Sequence, residues 1–340
     1  MKWGLVGCGV IGERRAVSLP REAELTACFD PNLDRAKHIQ KITGCAVATS
    51  LENLFSFKPQ AILVATINSS MIEVTKAAFE HGIHVLAEKP AARSVEEILS
   101  LEPPSGLIWK VGFNHRFHPA FSDLIGEIQS RKDDPILFIR AQYGNGARLG
   151  FDQEWRSRVE TAGGGELLDQ GVHLVDLANQ IIPNLFVRSA TVRTLFWKMS
   201  VDDNAWGLLE NERGQVFSFH ASSSEWKNEF RFEVYTKWRK YQWLGLGRSY
   251  GPERLVIHTM KPEMGPPHTE ERSYPDKDDS WLLENKNFLD AILGKTTAWG
   301  TYQGAILTLG IVKSLYEASA AQKLDSHPKW WSPISKTVLK

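Results

Sequence analysis

Three side chains stand where a proton could be moved or a carbonyl oxygen polarised: Lys89, Asp169 and His173. Lys89 lies in Ala87-Glu88-Lys89-Pro90, directly after the apolar run Ile83-His84-Val85-Leu86. A lysine at the end of a buried strand, followed by a proline that fixes the next turn, is held in position rather than left mobile in solvent. Asp169 and His173 are four residues apart in a stretch that opens with Gly163-Gly164-Gly165. That spacing places both on one helix face. An imidazole beside a carboxylate suits proton transfer near neutral pH, because the carboxylate orients the ring and favours its charged form. The same stretch also suits a structural helix in which Asp169 caps the start and His173 packs in a core.

The elements that must carry these groups can be read from both sides of Lys89. Lys2 to Val6 reads as a buried strand and runs into Gly7-Cys8-Gly9-Val10-Ile11-Gly12. In such a loop the first glycine permits a tight turn, the second lets backbone approach a pyrophosphate, and the third lets the next helix pack closely, while Val10 and Ile11 begin that helix. A glycine-rich turn without a ligand would have the same residues. A second strand, Glu24 to Phe29, ends in Asp30 about twenty residues after the glycines, where a carboxylate accepts hydrogen bonds from the adenosine ribose and repels a 2′-phosphate. NAD is therefore expected ahead of NADP. Asp30 with Pro31-Asn32 also suits the start of the helix Leu33 to Ile42, and the two roles are compatible.

The apolar run Gln60 to Thr66 is of the kind buried on both faces of a parallel sheet, and Asn68-Ser69-Ser70 reads as a helix cap over the cofactor. Strand and helix alternating in this way predict a doubly wound α/β Rossmann domain, with ligand groups gathered at the strand ends where Gly7, Asp30, Thr66, Asn68, Glu88 and Lys89 fall. Ser94-Val95-Glu96-Glu97 has the form of a capping box and predicts a helix ending near Pro103-Pro104. Leu107 to Phe113 gives one more strand and leads into Asn114-His115-Arg116-Phe117-His118-Pro119. His115 and His118 lack a cysteine or a second ligand pair nearby, so no metal site is expected. Arg116 is read as a contact for a phosphate or substrate hydroxyl, or else as a surface arginine.

From about Ala120 the rhythm changes to a helix and then seven strand-like segments between Ile136 and His258, predicting a large, open, mostly antiparallel sheet. Lys261 to Asp279 reads as a solvated loop, and two helices, Trp281 to Leu293 and Tyr302 to Ala320, close the chain. The division expected is 1–118 for nucleotide binding and 119–340 for substrate binding and oligomerisation.

Composition excludes several classes. In 340 residues, 40 basic side chains balance 40 acidic ones, so no net field draws the chain to nucleic acid or an anionic membrane. No apolar run approaches the ~18 residues of a membrane span. Leu5-Val6-Gly7-Cys8 superficially matches a lipoprotein box, but Glu13-Arg14-Arg15 follow at once, with no leader pattern around it. Three cysteines, Cys8, Cys28 and Cys45, suit reduced thiols in the cytoplasm better than a disulfide framework.

Taken together, the glycine loop at Gly7 to Gly12, Glu88-Lys89-Pro90, Asn114-His115-Arg116 and the triple glycine with Asp169 and His173 resemble the Gfo/Idh/MocA oxidoreductase family. The resemblance covers nearly the whole chain. It implies a Rossmann domain joined to an open-faced α/β domain, with the nicotinamide in the cleft between them and Lys89, Asp169 and His173 as the catalytic group. Those residues fit hydride transfer between a secondary alcohol and NAD, which needs a base for the hydroxyl proton and an acid for the carbonyl oxygen. His173 is the first choice of proton carrier, with Lys89 polarising the oxygen and Asp169 orienting the ring or sharing the work. Whether His173 or Lys89 exchanges the proton stays open. Arg148, Trp155 and Arg156 offer stacking surface and anion recognition for the substrate, together with Arg116. The stretch Tyr143 to Arg158, with Leu246-Gly247-Arg248-Ser249-Tyr250-Gly251, resembles family members linked to bacterial surface-polysaccharide sugars. A sugar or nucleotide-linked sugar is thus the expected substrate, an inositol or other polyol the alternative, and a non-catalytic NAD-binding regulator a third reading. A homo-oligomer, dimer or tetramer, is expected through the open sheet face.

Overall fold

A computed structural model describes residues 1–275 and 277–321. The described chain forms two compact units: Met1–Phe117 with Asp279–Leu307, and His118–Asp278 with 308–321. The break after Phe117 lies one residue from the expected boundary. The expected assignment of everything beyond 119 to one domain differs, however, because the chain returns to its first unit after Asp278.

In chain order the first unit is built from β1 Lys2–Val6, α1 Val10–Val17, β2 Glu24–Phe29, α2 Leu33–Thr43, β3 Ala46–Val47, α3 Leu51–Ser56, β4 Ala61–Val64, α4 Met71–Glu80, β5 His84–Glu88, α5 Val95–Leu99 and β6 Trp109–Gly112. Its six strands are all parallel, in the order β3-β2-β1-β4-β5-β6. The order reverses between β1 and β4, and the crevice beyond the carboxyl ends of those two strands is where such sheets bind ligands. Apolar runs produce this arrangement directly: every residue of β4 and β6 is buried, as expected of strands covered on both faces.

Local signals hold in detail. Asn32 caps α2 by accepting from the Asp34 and Arg35 N–H groups, and Gly44 ends it in the left-handed region. Ser94 caps α5 through the Glu97 N–H, while the Glu97 carboxylate takes the Arg93 N–H at 2.8 Å. That helix stops at Leu99, short of the prolines, because Leu99 already faces solvent and gives the next turn nothing to bury. Asn68–Ser70 form a 3₁₀ turn that runs into α4 without a side-chain cap, in place of the cap expected there.

The second unit contains α6 Pro119–Ser130, β7 Ile136–Gly144, α7 Val159–Ala162, α8 Val172–Ile181, β8 Phe186–Arg193, β9 Asn204–Glu210, β10 Val216–Ser222, β11 Glu229–Thr236, β12 Arg239–Leu244, β13 Arg254–Thr259 and β14 His268–Ser273. Its eight strands run β14-β13-β12-β11-β7-β10-β9-β8, antiparallel throughout except for the central β7–β10 pair. Alternation sets the faces: Phe217, Phe219 and Ala221 of β10 are buried, whereas Ser218 and His220 line a hollow of about 390 Å³ on the opposite face with Arg140, Trp206 and Arg231. Strand β14 occupies the middle of what was expected to be a loop, six residues of the stretch from Lys261 to Asp279. It is an edge strand with almost every residue exposed, so no apolar alternation marks it.

Helix α9, Ser280–Ile292, belongs to the first unit, where Phe288 packs edge-on against Trp3 with ring centres 5.4 Å apart. Helix α10, Tyr302–Ala321, begins there and continues in the second unit.

Candidate active site

The nucleotide half of the site is set by what the glycines exclude. Gly7 has φ +92°, and a Cβ there would stand 2.4 Å from the Ala65 carbonyl oxygen. A Cβ on Gly12 would meet the Gly7 carbonyl oxygen at 2.0 Å. Gly9, by contrast, has open space around it, precedes α1, and leaves the N–H groups of that helix start without a side-chain cap. An uncovered helix N-terminus beneath a glycine is the cradle a pyrophosphate needs. Val10 is exposed and Ile11 half-buried on the first turn.

Asp30, just past β2, spends both oxygens on backbone: Oδ2 accepts from the Cys8 N–H and Oδ1 from the Asn32 N–H, each at 2.8 Å. It therefore ties the glycine loop to the turn that starts α2. Beneath it Cys8, Cys28 and Cys45 are buried free thiols. The hydrogen bond with the Cys45 thiol pulls Cys28 down, but the Cys8 thiol and burial together outweigh it and push Cys28 up to about 12. Thr66 and Asn68 follow β4 on the same sheet edge, with the Thr66 hydroxyl donating to the Ile67 carbonyl.

Glu88 ends β5 with its carboxylate turned inward, where Oε1 accepts from the buried Arg15 Nε at 2.5 Å, and not toward the crevice. Lys89 is half-buried next to it, its peptide to Pro90 is cis, and the Ala91 N–H closes a turn onto the Glu88 carbonyl at 2.9 Å. Arg116 is buried over the rings of Phe113 and Trp299, so it is not the surface arginine that was one of its two readings. His115 and His118 have separate partners: Asn114 Oδ1 at 3.2 Å for the former and Glu253 Oε2 at 2.9 Å for the latter.

In the second unit the triple glycine serves close packing. A Cβ on Gly164 would stand 2.4 Å from the Tyr316 hydroxyl, and one on Gly165 would stand 1.9 Å from the Asp202 carbonyl oxygen. The Asp202 carboxylate is buried and accepts from the Gly165 N–H at 2.9 Å, the Leu167 N–H at 2.8 Å and the Tyr316 hydroxyl at 2.7 Å. Burial pushes this carboxyl up, and those three donors oppose the push. The anchored backbone then makes a π-helical turn over Leu167–Gly171 before α8, where a regular α-helix was expected. Such widened turns concentrate at functional sites.

Asp169 sits on that turn, half-buried, with its Oδ2 3.5 Å from Arg156 Nε, and Arg156 in turn lies over the Trp155 ring at 4.4 Å. His173 is buried, 6.2 Å from the Tyr143 ring. Arg148 is exposed and paired with Glu154 at 2.7 Å. Sequence patterning does not single out Tyr143 or Gln170 as site residues. The Tyr143 hydroxyl is hydrogen-bonded to that of Tyr250, which is itself bonded to Gln170, and burial followed by the Tyr250, Asp169 and Glu166 charges pushes Tyr143 well above the usual phenol range. Tyr143 at a strand end, on the face opposite its polar neighbour Gln142, was the available signal.

The parallel sheet with its glycine loop defines a protein of the dinucleotide-binding, two-unit class. A model of the Gfo/Idh/MocA oxidoreductase family with an NAD-binding Rossmann fold matches residues 1–102, and that family's C-terminal domain matches residues 128–237. This chain belongs to that family, and residues 1–102 are its NAD-binding fold. A 1,5-anhydro-D-fructose reductase of Ensifer adhaerens is 26% identical over 248 residues, 69% of this chain and 73% of that protein. An inositol 2-dehydrogenase of Saccharopolyspora erythraea is 34% identical over 164 residues, 45% of this chain and 48% of the relative, so the chain spans about half of that protein's length. A levoglucosan dehydrogenase solved in complex with NADH superposes with a TM-score of 0.84 at 18% identity, over 94% of this chain and 97% of that chain, a likeness of fold. No helix among the described residues is long and apolar enough to cross a membrane.

Proposed function

We propose that this chain is an NAD-dependent dehydrogenase acting on a secondary alcohol of a sugar or nucleotide-linked sugar, in bacterial carbohydrate or surface-polysaccharide metabolism. The observation that carries the reading is the anchored turn at Leu167–Gly171, which presents Asp169 while His173 follows on α8. The nicotinamide, when bound, supplies the carbon that accepts or returns hydride. The glycine loop and the start of α1 hold the pyrophosphate, and Asp30 takes the ribose and disfavours a 2′-phosphate. Lys89 donates a hydrogen bond to the reacting oxygen. His173 takes the hydroxyl proton, with Asp169 orienting it. Arg156, Trp155 and Arg148 contact the substrate's remaining groups, and Arg116 is a contact for a phosphate or substrate hydroxyl.

A free polyol such as an inositol is the second reading, favoured by the inositol dehydrogenase relative. The open sheet face, with Trp206 and Leu208 partly exposed beside Arg140 and Arg231, suits contact with a second copy, as a dimer or tetramer. Three buried free thiols suit a cytoplasmic protein.

The test is nicotinamide absorbance with purified protein and NAD against nucleotide-linked sugars, free sugars and inositols, with NADP alongside. Turnover of a sugar class with NAD supports the proposal. Turnover of inositols alone replaces it with the second reading, and cofactor binding without turnover of any class counts against it.

A further inference from the structure

The first unit buries four charges around the strand end that carries Lys89. Arg15 of α1 is fully buried: its Nε donates to Glu88 Oε1 at 2.5 Å, its Nη2 to Glu284 Oε2 at 2.6 Å, and its Nη1 to Asn285 Oδ1 at 3.0 Å. Asn285 returns the contact, donating to the carbonyls of Arg15 and Ser18 at the end of α1. The guanidinium lies 4.6 Å from the centre of the Trp281 ring. Glu284, Asn285 and Trp281 all belong to α9, so the segment that returns after Asp278 grips α1 through this arginine. Strand β6 makes room: a Cβ on Gly112 would come within 2.5 Å of Arg15 Nη2 and 3.3 Å of both Glu88 oxygens. The fourth charge, Lys110 of β6, is 3.8 Å from Glu284 and also bonds Asn287.

The Glu88 carboxylate is thus paired with Arg15, and the charge of Lys89, the next residue in sequence, acts on it in the same direction. Burial pushes Glu88 up, Glu284 pushes the same way, and Arg15 is the largest influence in the opposite direction. A buried carboxylate deprived of its cation takes up a proton.

We propose that Arg15 is a positioning residue for Lys89: it supplies the counter-charge that lets Glu88 stand as a carboxylate behind the lysine, and through Glu284 it couples that arrangement to α9. The inference rests on the assignment of Lys89 to the reaction.

The test compares Arg15→Met, Arg15→Lys, Glu88→Gln and the Met/Gln double variant by the pH dependence of kcat/KM on whichever sugar the wild type turns over, with NAD affinity and near-UV circular dichroism as controls for the fold. Arg15→Met and Glu88→Gln each displace the profile to lower pH by about one unit and reduce kcat at least about tenfold, because each removes the negative charge beside Lys89. The double variant behaves as either single one, since both act through one carboxylate. Arg15→Lys restores the wild-type profile. A folded Arg15→Met protein whose profile does not move overturns the inference. Should Arg15→Met not fold, an unmoved profile in Glu88→Gln overturns it equally, and a displaced one beside a wild-type profile in Arg15→Lys supports it. Lys89→Ala separates the two levels: wild-type turnover in that variant removes the role of Lys89 itself, whereas an inactive Lys89→Ala beside an unmoved Arg15→Met profile removes only the role of Arg15.

Discussion

Replacing Asp202 with asparagine tests whether the turn bearing Asp169 is held from its N-terminal side. The carboxylate accepts three hydrogen bonds, from Gly165 N–H, Leu167 N–H and Tyr316 Oη. An asparagine keeps one oxygen, which can serve Gly165 and Tyr316 where Oδ1 now stands, but it turns an NH₂ group toward the Leu167 N–H. One charge-assisted bond is lost, worth about 1.5–3 kcal/mol, and the Leu167 N–H is left buried against a donor. Relief from burying the charge offsets part of this, because burial is the main influence on Asp202. The net loss expected is about 2 kcal/mol, or about 4–8 °C in the melting temperature of a unit of this size. Differential scanning calorimetry on wild type and Asp202→Asn gives the stability. Steady-state kinetics on the same proteins should show kcat lowered more than NAD affinity, because the tie lies on the turn carrying Asp169 and not on the glycine loop. A melting temperature within about 1 °C of wild type would refute the reasoning, since a buried carboxylate with three donors cannot be exchanged so cheaply.

Further outcomes follow from other contacts. Asp30→Ala removes the acceptor for the Cys8 and Asn32 N–H groups and should weaken NAD binding at least about tenfold while narrowing its preference over NADP, as read by fluorescence titration of the reduced cofactors. Glu233 is fully buried; burial pushes its carboxyl up, but hydrogen bonds from Arg140, Lys240 and Gln242 outweigh that and hold it below its ordinary range. A depressed carboxyl stabilises the fold above its ordinary range, so Glu233→Gln should cost about 2 kcal/mol near neutral pH, with the difference vanishing as urea midpoints are taken below about pH 4. Trp206→Glu, on the open sheet face where Trp206 stacks on His220 at 4.4 Å, should shift the sedimentation coefficient to that of a smaller species if that face joins two copies, and equal sedimentation would count against it.

What the sequence disclosed and what it hid divide along physical lines. Buried parallel strands announce themselves because a strand covered on both faces must be apolar throughout, as Ala61–Val64 is. The glycine loop is legible because Gly7 and Gly12 fill positions where a Cβ would collide with backbone. Strand β14 was hidden because an edge strand has no face to bury, and its sequence from His268 to Ser273 is almost wholly polar. The turn at Leu167–Gly171 was hidden for a different reason. Its widening depends on Asp202 drawing in the Gly165 and Leu167 N–H groups from 35 or more residues away, which no local periodicity encodes. Likewise Arg15 reads as an ordinary helix arginine until α9, some 270 residues later, brings Glu284 and Asn285 to it. The same distance explains the assignment of Asp279–Leu307 to the later domain, since contiguity in sequence was the only guide.

The measurement that bears most directly on the central claim is single-turnover hydride transfer with the sugar and NAD, in wild type, Lys89→Met and His173→Ala, with NAD affinity determined in parallel. The account predicts transfer slower by about 10²–10⁴-fold in each variant and NAD affinity within about twofold, because both residues act on the substrate's oxygen and proton and not on cofactor binding. Transfer at the wild-type rate in either variant would contradict it.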